Sequence, residues 1–238
     1  MSLPDSEIYE QALAYWPYLT SWQKVLEIIE KSAPKNGTLI DLMCGPGHLL
    51  GQLKRRRPDL MLTGLDIDQR YIPFAQKKYP DIKFHLADVL TWQPPERFDV
   101  VICTGSVHHI PYERQVDAIE VFARGVKPDG LVIISDCYID DYADEQGRKL
   151  AAAKLGYEYL SQTITNGAPE PVVKDTAEIM VNDVLMNEFK TSIKKRQPVF
   201  DKYFGEVETI HTWPQTSAEY GDYVTVCRSP RMINLSKT

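Results

Sequence analysis

Apolar and polar positions alternate in blocks along the middle of the chain. Short apolar runs alternate with longer segments in which apolar residues recur every three to four positions, as on one face of a helix. In chain order these blocks are 38–43, 47–57, 61–66, 68–79, 82–87, 98–104, 111–126 and 130–138. Strands that alternate with helices of this length predict parallel βαβ units and a doubly wound α/β sheet.

The pattern changes after Tyr138. Residues 140–204 contain helical patterns and no convincing strand, and strands resume at Val207–Trp213 and Tyr223–Arg228. The short link between these last two strands favours an antiparallel pair. We therefore predict a mostly parallel seven-stranded sheet whose last strand is antiparallel.

The N-terminal segment 5–34 has a helical pattern and is rich in aromatic residues. We predict a single domain over 1–238 with N-terminal helices, in which residues 1–35 form a helical flap and 140–204 form a helical cap inserted between strands five and six. For the aromatic residues, packing in the core and closure over a ligand both remain open. They are Tyr9, Tyr15, Trp16, Tyr18 and Trp22.

The charge and composition of the chain limit the classes of binding partner that it can have. The net charge of −6 and the absence of a basic stripe argue against nucleic acid and anionic membranes as partners. No apolar run approaches the roughly 20 residues that a membrane span needs, and the first residues lack the features of a signal peptide. The four cysteines are far apart, and the side chains of adjacent His108 and His109 would diverge on a strand. We expect a cytoplasmic protein without a bound metal.

The most informative segment follows the first predicted strand. Asp41 lies inside that strand, and Cys44-Gly45-Pro46-Gly47 leads directly into a helical pattern. Glycines permit a tight turn and close approach of a ligand, while a helix start offers free N–H groups to an acidic group. This arrangement predicts a site for a nucleotide-like ligand.

Two further carboxylates follow the next strands. Asp66 ends the second predicted strand, 21 residues after Gly45, where a carboxylate can accept hydrogen bonds from both ribose hydroxyls. Asp88 ends the third, where it can accept a hydrogen bond from an adenine amine. Ile67 and Val89 could provide apolar faces for the ring.

These motifs together resemble the class I S-adenosylmethionine-dependent methyltransferases of small molecules, over roughly residues 35–138. The resemblance implies that Asp41 and the loop Cys44–Gly47 hold the amino-acid end of S-adenosylmethionine, that Asp66 holds the ribose, and that Asp88-Val89 holds the adenine. It also implies that Cys103-Thr104-Gly105 lines the pocket of the sulfonium, and it matches the turn Lys127-Pro128-Asp129-Gly130 before strand five.

A nicotinamide dinucleotide enzyme is an alternative because it uses the same first strand and turn. Its fingerprint is G-x-G-x-x-G, however, and here the third glycine, Gly51, comes one residue late. Asp41 and Asp88 also favour a cofactor with an ammonium at one end and an adenine at the other.

Several residues are candidates for contact with the methyl acceptor. His108 and His109 follow strand four at the carboxyl edge of the sheet, so that either could take a proton from the nucleophile. Tyr138 leaves strand five at the same edge and could orient the substrate. Asn182 and Asp183 interrupt an apolar helical pattern, and Tyr157, rather than Tyr159, fits the apolar stripe of its helix.

The predicted function is methylation of an oxygen, nitrogen or carbon nucleophile on a small molecule, without a metal ion and by in-line displacement. Two other possibilities stay open: an enzyme of cyclase type that uses the same cofactor without methyl transfer, and a non-catalytic cofactor-binding protein. The sequence does not name the acceptor or the oligomeric state.

Overall fold

A computed structural model describes residues 11–231. Residues 1–10 and 232–238, including Tyr9, lie outside the described part. The elements, in chain order, are α1 (Leu19–Ser32), β1 (Thr38–Leu42), α2 (His48–Arg56), β2 (Met61–Asp66), α3 (Tyr71–Lys78), β3 (Lys83–Leu86), β4 (Phe98–Thr104), a 3₁₀ turn (Val107–His109), α4 (Tyr112–Gly125), β5 (Val126–Tyr138), α5 (Glu145–Thr165), α6 (Glu170–Leu185), α7 (Ile193–Tyr203), β6 (Phe204–Trp213) and β7 (Gly221–Pro230).

Seven strands form one sheet in the order β3-β2-β1-β4-β5-β7-β6. Strands β1 to β5 pair in parallel, whereas β7 is antiparallel to both β5 and β6. The predicted doubly wound α/β fold with an antiparallel last strand is confirmed. The strand order reverses between β1 and β4, which is where ligands bind in open α/β sheets.

The central strands are buried on both faces, which explains their continuous apolar runs. Leu39, Val100 and Ile133 belong to the core that also contains α1 and α2. Ile40, Val101 and Ile134, each one residue further along its strand, belong to the core on the opposite face with α4 and α7. Each fully buried side chain of this size contributes about 1.5–3 kcal/mol, so the two cores hold the carboxyl ends of the strands in place.

Two local predictions differ from the structure. The predicted turn at 127–130 lies within β5, which begins at Val126 and pairs with β4 through a register shift between Phe98 and Val100. The predicted helix over 5–34 is interrupted by turns at 14–18 before α1 begins. Pro17 accounts for the interruption because it cannot donate a backbone hydrogen bond within a helix.

The segment between β5 and β6 is helical, as predicted. Helices α5 and α6 form an antiparallel hairpin beside the sheet edge, and α7 follows and packs on α4. None of the described helices is long and apolar enough to cross a membrane.

Candidate functional site

A cavity of about 680 Å³ opens at the carboxyl ends of β1, β2, β4 and β5. This volume lies within the range of small-molecule sites, roughly 300–1,000 Å³. The sheet edge forms its floor, and the N-terminal segment and helices α5 and α6 form its other walls.

The glycine turn shapes the floor beneath β1. Gly45 and Gly47 have φ values of 53° and 78°, a left-handed region that side chains with a Cβ rarely adopt. A Cβ on Gly45 would meet no atom within 4 Å, whereas one on Gly47 would lie 2.8 Å from the Phe84 ring. Gly45 therefore leaves room beside the cavity, and Gly47 is required by backbone conformation and packing.

Asp41 and Asp66 are buried carboxylates in the wall of the cavity, 1% and 7% exposed. Both oxygens of Asp66 accept backbone hydrogen bonds, from Gly45 N–H at 2.7 Å and Asp68 N–H at 2.8 Å. Among the described residues, Oδ1 of Asp41 has no hydrogen-bond partner. Burial raises the pKa of Asp41 well above its usual value, and repulsion by Asp66 adds to the shift. A cationic group in the cavity would stabilise the ionised form of Asp41.

The next part of the floor contains the predicted adenine contacts. Ile67, Asp88 and Val89 line the cavity, and Ile67 is 64% exposed, unusual for an isoleucine. Oδ1 of Asp88 accepts the N–H of Leu90 at 2.9 Å. These residues therefore place an apolar surface next to a carboxylate.

Aromatic residues of the N-terminal segment cover one side of the cavity. Trp16, Tyr18 and Trp22 are buried and line it. The Tyr18 hydroxyl donates to the carbonyl of Ser135 at 3.1 Å and lies over Gly105. Within the described part of the chain, Nε1 of Trp22 is a buried donor without a partner.

Helices α5 and α6 form the opposite wall. Tyr159, Asn182 and Asp183 line the cavity, so the two polar residues that interrupt the apolar pattern of α6 face the site. The choice between the two tyrosines is wrong: Tyr157 is 63% exposed, whereas Tyr159 donates its hydroxyl to the buried carboxyl of Asp222. Burial raises the pKa of Asp222 to about 8.

His108 and His109 lie in the 3₁₀ turn after β4, and their rings do not diverge as predicted. Their centroids are 4.2 Å apart because consecutive side chains diverge by about 120° in a 3₁₀ turn, whereas in a strand they point to opposite faces. Nδ1 of His108 lies 2.5 Å from Oδ1 of Asp136. Burial lowers the pKa of His108, but the charges of Asp136 and Cys137 outweigh it, and the pKa is raised well above its usual value.

The pKa of His109 is shifted in the opposite direction. Burial, followed by the charge of His108, lowers its pKa to about 3. Its Nδ1 has no hydrogen-bond partner among residues 11–231. His109 is therefore a neutral imidazole at neutral pH, and it lines the cavity.

Lys190, Asp183 and Glu188 form a buried ion-pair group next to the two histidines. Nζ of Lys190 contacts Asp183 Oδ1 at 2.5 Å and Glu188 Oε2 at 2.6 Å. Burial lowers the pKa of Lys190, but these two carboxylates more than offset it, and the pKa is raised well above normal. Burial raises the pKa of Asp183 to about 6, despite the charge of Lys190. The ligand atoms of His108, His109 and Glu188 lie within 4.8 Å of one another, a spacing that a metal ion could bridge.

Three predicted site residues have other environments. Tyr138 is 3% exposed, packs edge-on against Tyr223 and does not border the cavity, so the structure gives it a packing role in place of the predicted substrate contact. Cys103 is fully buried in the core with α4, because β4 turns it away from the site. Gly47 does not border the cavity either, although Thr104, Gly105, Cys44 and Pro46 do.

Several residues in the cavity wall or directly behind it had no recognisable signal in the sequence. Glu188 and Lys190 lie in the polar link after α6, and Asp222 follows Gly221 at a strand start, where exposed residues are common. Tyr159 resembles an ordinary core aromatic. Only the folded chain shows that these groups meet.

Residues 39–130 match a family model described as "Methyltransferase domain". The match begins in β1 and ends within β5, so it contains the glycine turn, Asp66, Asp88 and both histidines. Over this range the chain is similar to methyltransferase domains.

Curated proteins similar to this chain include trans-aconitate 2-methyltransferase of Escherichia coli (strain K12 / DH10B). It is 27% identical over 135 residues, which are 51% of this chain and 54% of that protein. The same protein of Shigella dysenteriae serotype 1 gives the same values. The chain thus spans about half the length of the curated relatives it matches.

Solved structures share the fold of the chain, including the helices around the sheet. The N-methyltransferase NodS from Bradyrhizobium japonicum, solved with S-adenosyl-L-homocysteine, has a TM-score of 0.61 and 14% identity over 94% of this chain and 97% of that one. The plantazolicin methyltransferase BpumL, solved with the same compound, has a TM-score of 0.66 and 11% identity over 94% and 88%. At these identities the likeness concerns the fold.

Proposed function

We propose that the protein is an S-adenosylmethionine-dependent methyltransferase that transfers a methyl group to a small molecule enclosed in the cavity. The observation that carries the proposal is the set of cavity residues within the matched methyltransferase domain: an unpaired buried carboxylate at Asp41, the glycine turn, Asp66 and Asp88.

The wall of the cavity fits S-adenosylmethionine at both ends. Asp41 Oδ1, a buried acceptor without a partner in the described chain, would take the ammonium of the amino-acid end, and Nε1 of Trp22, an unpaired donor, would take its carboxylate. Asp66 would accept the ribose hydroxyls, and Asp88 would accept the adenine amine, with the ring on Ile67 and Val89. When bound, this cofactor supplies an electrophilic methyl group on a positively charged sulfur.

The protein's own contribution is positioning and exclusion of water. Thr104 and Gly105 border the middle of the cavity, between the cofactor end and the wall of α5 and α6. The N-terminal segment and the helices of 140–204 would act as the flap and cap over the acceptor, within the single domain predicted above. An enclosed site of this kind orients a small acceptor and limits competing reaction with water.

The two histidines would have different roles. His108, held by Asp136, would fix the shape of the site next to the acceptor. His109, neutral and with an unpaired ring nitrogen, would accept a hydrogen bond from the nucleophile and so direct its lone pair.

Binding of S-adenosylhomocysteine tests the cofactor assignment directly. Titration calorimetry of the wild-type protein should show binding, and Asp66→Asn should weaken it by about tenfold or more, because a ribose hydroxyl loses a charged acceptor worth about 1.5–3 kcal/mol. Asp59→Asn is the matched control, since Asp59 pairs with Arg57 on the surface away from the cavity.

Turnover tests the reaction. Release of S-adenosylhomocysteine with a mass increase of one methyl group in an acceptor would establish methyl transfer. Absence of cofactor binding by the wild-type protein would refute the proposal, and binding with product rearrangement and no methyl transfer would favour the cyclase alternative.

A further inference from the structure

The wall that faces the acceptor has an unusual charge distribution. Asp175, Glu178, Asp183 and Glu188 line the cavity there, and Lys190 is the sole lysine or arginine among the described lining residues. Asp183 and Glu188, 2% and 5% exposed, share Lys190 between them. His108 is matched by Asp136. Nε2 of His108 also lies 3.5 Å from Oε2 of Glu188. Three buried carboxylates, those of Asp136, Asp183 and Glu188, thus face two cationic groups, His108 and Lys190, which leaves one negative charge in excess among the buried groups.

One carboxylate oxygen of Glu188, Oε1, is available to a ligand. Oε2 contacts Lys190, whereas Oε1 makes no hydrogen bond with residues 11–231 and lies 4.0 Å from Nδ1 of His109. With its proton on Nε2, His109 presents a lone pair on Nδ1, which is also unpaired in the described chain. A single nitrogen can lie at a normal hydrogen-bond distance, about 2.9 Å, from two acceptors with this separation.

We propose that the methyl acceptor is an amine, held with its nitrogen between Oε1 of Glu188 and Nδ1 of His109. This proposal rests on the proposed methyltransferase function and names its substrate class. A monovalent ammonium balances the single uncompensated charge, whereas a divalent metal ion would leave an excess positive charge beside Lys190. A polycarboxylate such as trans-aconitate would face the acidic wall, and the one lysine there already has two partners.

The chemistry follows from the position of the nitrogen. The bound ammonium loses a proton, which leaves for solvent through the cavity opening because the low pKa of His109 prevents the ring from keeping it. The amine lone pair then forms an N–C bond to the methyl carbon as the S–C bond breaks. The electron pair of that bond stays on sulfur, and the N-methylated product is released.

Equilibrium binding to the S-adenosylhomocysteine complex tests the proposal without turnover. Alkylammonium ions of two to six carbons and two amino sugars are titrated by calorimetry, together with the alcohol and carboxylate of the same skeleton, and with trans-aconitate. Amines should bind at millimolar concentrations or below, and at least tenfold more tightly than the matched alcohols and carboxylates.

Variants locate the contact. Glu188→Gln and, separately, His109→Ala should each weaken amine binding by about tenfold to hundredfold while leaving the affinity for S-adenosylhomocysteine within twofold. Glu170→Gln is the control, since Glu170 is exposed on α6 and pairs with Lys174. Circular dichroism confirms that each variant is folded. If Glu188→Gln is not folded, His109→Ala decides.

Three results would overturn the amine proposal while leaving the methyltransferase proposal intact. One is binding of S-adenosylhomocysteine with no binding of any amine. Another is equal or tighter binding of trans-aconitate. The third is amine binding that a chelator abolishes and Zn²⁺ restores, which would assign the group at Glu188 to a metal. Failure of S-adenosylhomocysteine itself to bind would refute the underlying function.

Discussion

At the scale of single residues, the site is built from polar atoms that the fold leaves without partners. Buried polar atoms are almost always hydrogen-bonded, so Asp41 Oδ1 and Trp22 Nε1 are exceptions in the described chain that call for a physical reason. A ligand with an ammonium and a carboxylate would satisfy both. In its absence, each group lowers the stability of the protein.

Asp41→Asn should therefore have two opposite effects. Without ligand, the free energy of unfolding should rise at neutral pH by about 1 kcal/mol or more, because a carboxylate whose pKa is raised by burial is replaced by a neutral amide. Affinity for S-adenosylhomocysteine should fall by about tenfold, since the ammonium loses a charged partner. Urea denaturation and calorimetry measure the two effects.

Asp99→Asn serves as the control for Asp41→Asn. Asp99 is at the other end of the sheet and binds Thr38 and Lys127, which lower its pKa despite partial burial. This variant should lose stability and keep ligand affinity. If Asp41→Asn also lost stability and kept affinity, Asp41 would be structural only.

At the scale of elements, the helices around the cavity are joined by side-chain hydrogen bonds across long sequence distances. Trp16 Nε1 donates to Thr176 Oγ1 on α6 at 2.8 Å, and Asn166 Nδ2 donates to the carbonyl of Tyr15 at 2.7 Å. The N-terminal segment is thus joined to α6 and to the start of the α5–α6 connection. Ligand exchange through this side requires these contacts to open.

Trp16→Phe should loosen this junction while keeping an aromatic ring in place. We expect faster hydrogen–deuterium exchange in residues 170–190 and a several-fold faster dissociation of S-adenosylhomocysteine, because the hydrogen bond to Thr176 is lost. Trp92→Phe is the control, since Trp92 packs near Phe98, away from the cavity. Unchanged exchange in the Trp16 variant would show that the junction does not limit opening.

At the scale of elements, some features of the fold and of the site were predictable from the sequence and others were not. The central strands were predictable because they contain continuous apolar runs, and Asp41, Asp66 and Asp88 were predictable because they lie within or just after the first three strands. Glu188 and Lys190 were not, because their burial depends on how α6 and its link fold back over the sheet, and the burial of Asp222 depends on α5, which brings Tyr159 to it. The contact of His108 with His109 was missed because the 3₁₀ turn replaces an extended segment there.

At the scale of the whole molecule, the free energy of unfolding depends on pH, because a buried carboxyl group binds its proton more tightly in the folded state than in the unfolded state. Asp222 is fully buried beside Tyr159, and its pKa is raised to about 8 by burial. Its unfolded pKa is near 3.8. The folded state therefore binds a proton more tightly, and the stability that this proton provides is lost as the pH rises through the window from about 4 to 8.

Asp222→Asn should remove this dependence. Between pH 5 and 7, the free energy of unfolding of the wild-type protein should fall relative to the variant by up to about 1.4 kcal/mol per pH unit. Urea denaturation at a series of pH values measures the difference, in which contributions from other groups cancel. Parallel curves for the two proteins would show that Asp222 is ionised in the folded state.

The hydrogen bond between Trp16 and Thr176 also has a kinetic consequence. It connects two segments that are 160 residues apart in the chain, so neither segment can move away from the other on that side unless the bond breaks. If ligands enter and leave there, each release of product requires this bond and the one between Asn166 and Tyr15 to break. The rate of product release in the proposed reaction would then depend on an indole and a threonine hydroxyl, neither of which contacts the methyl group.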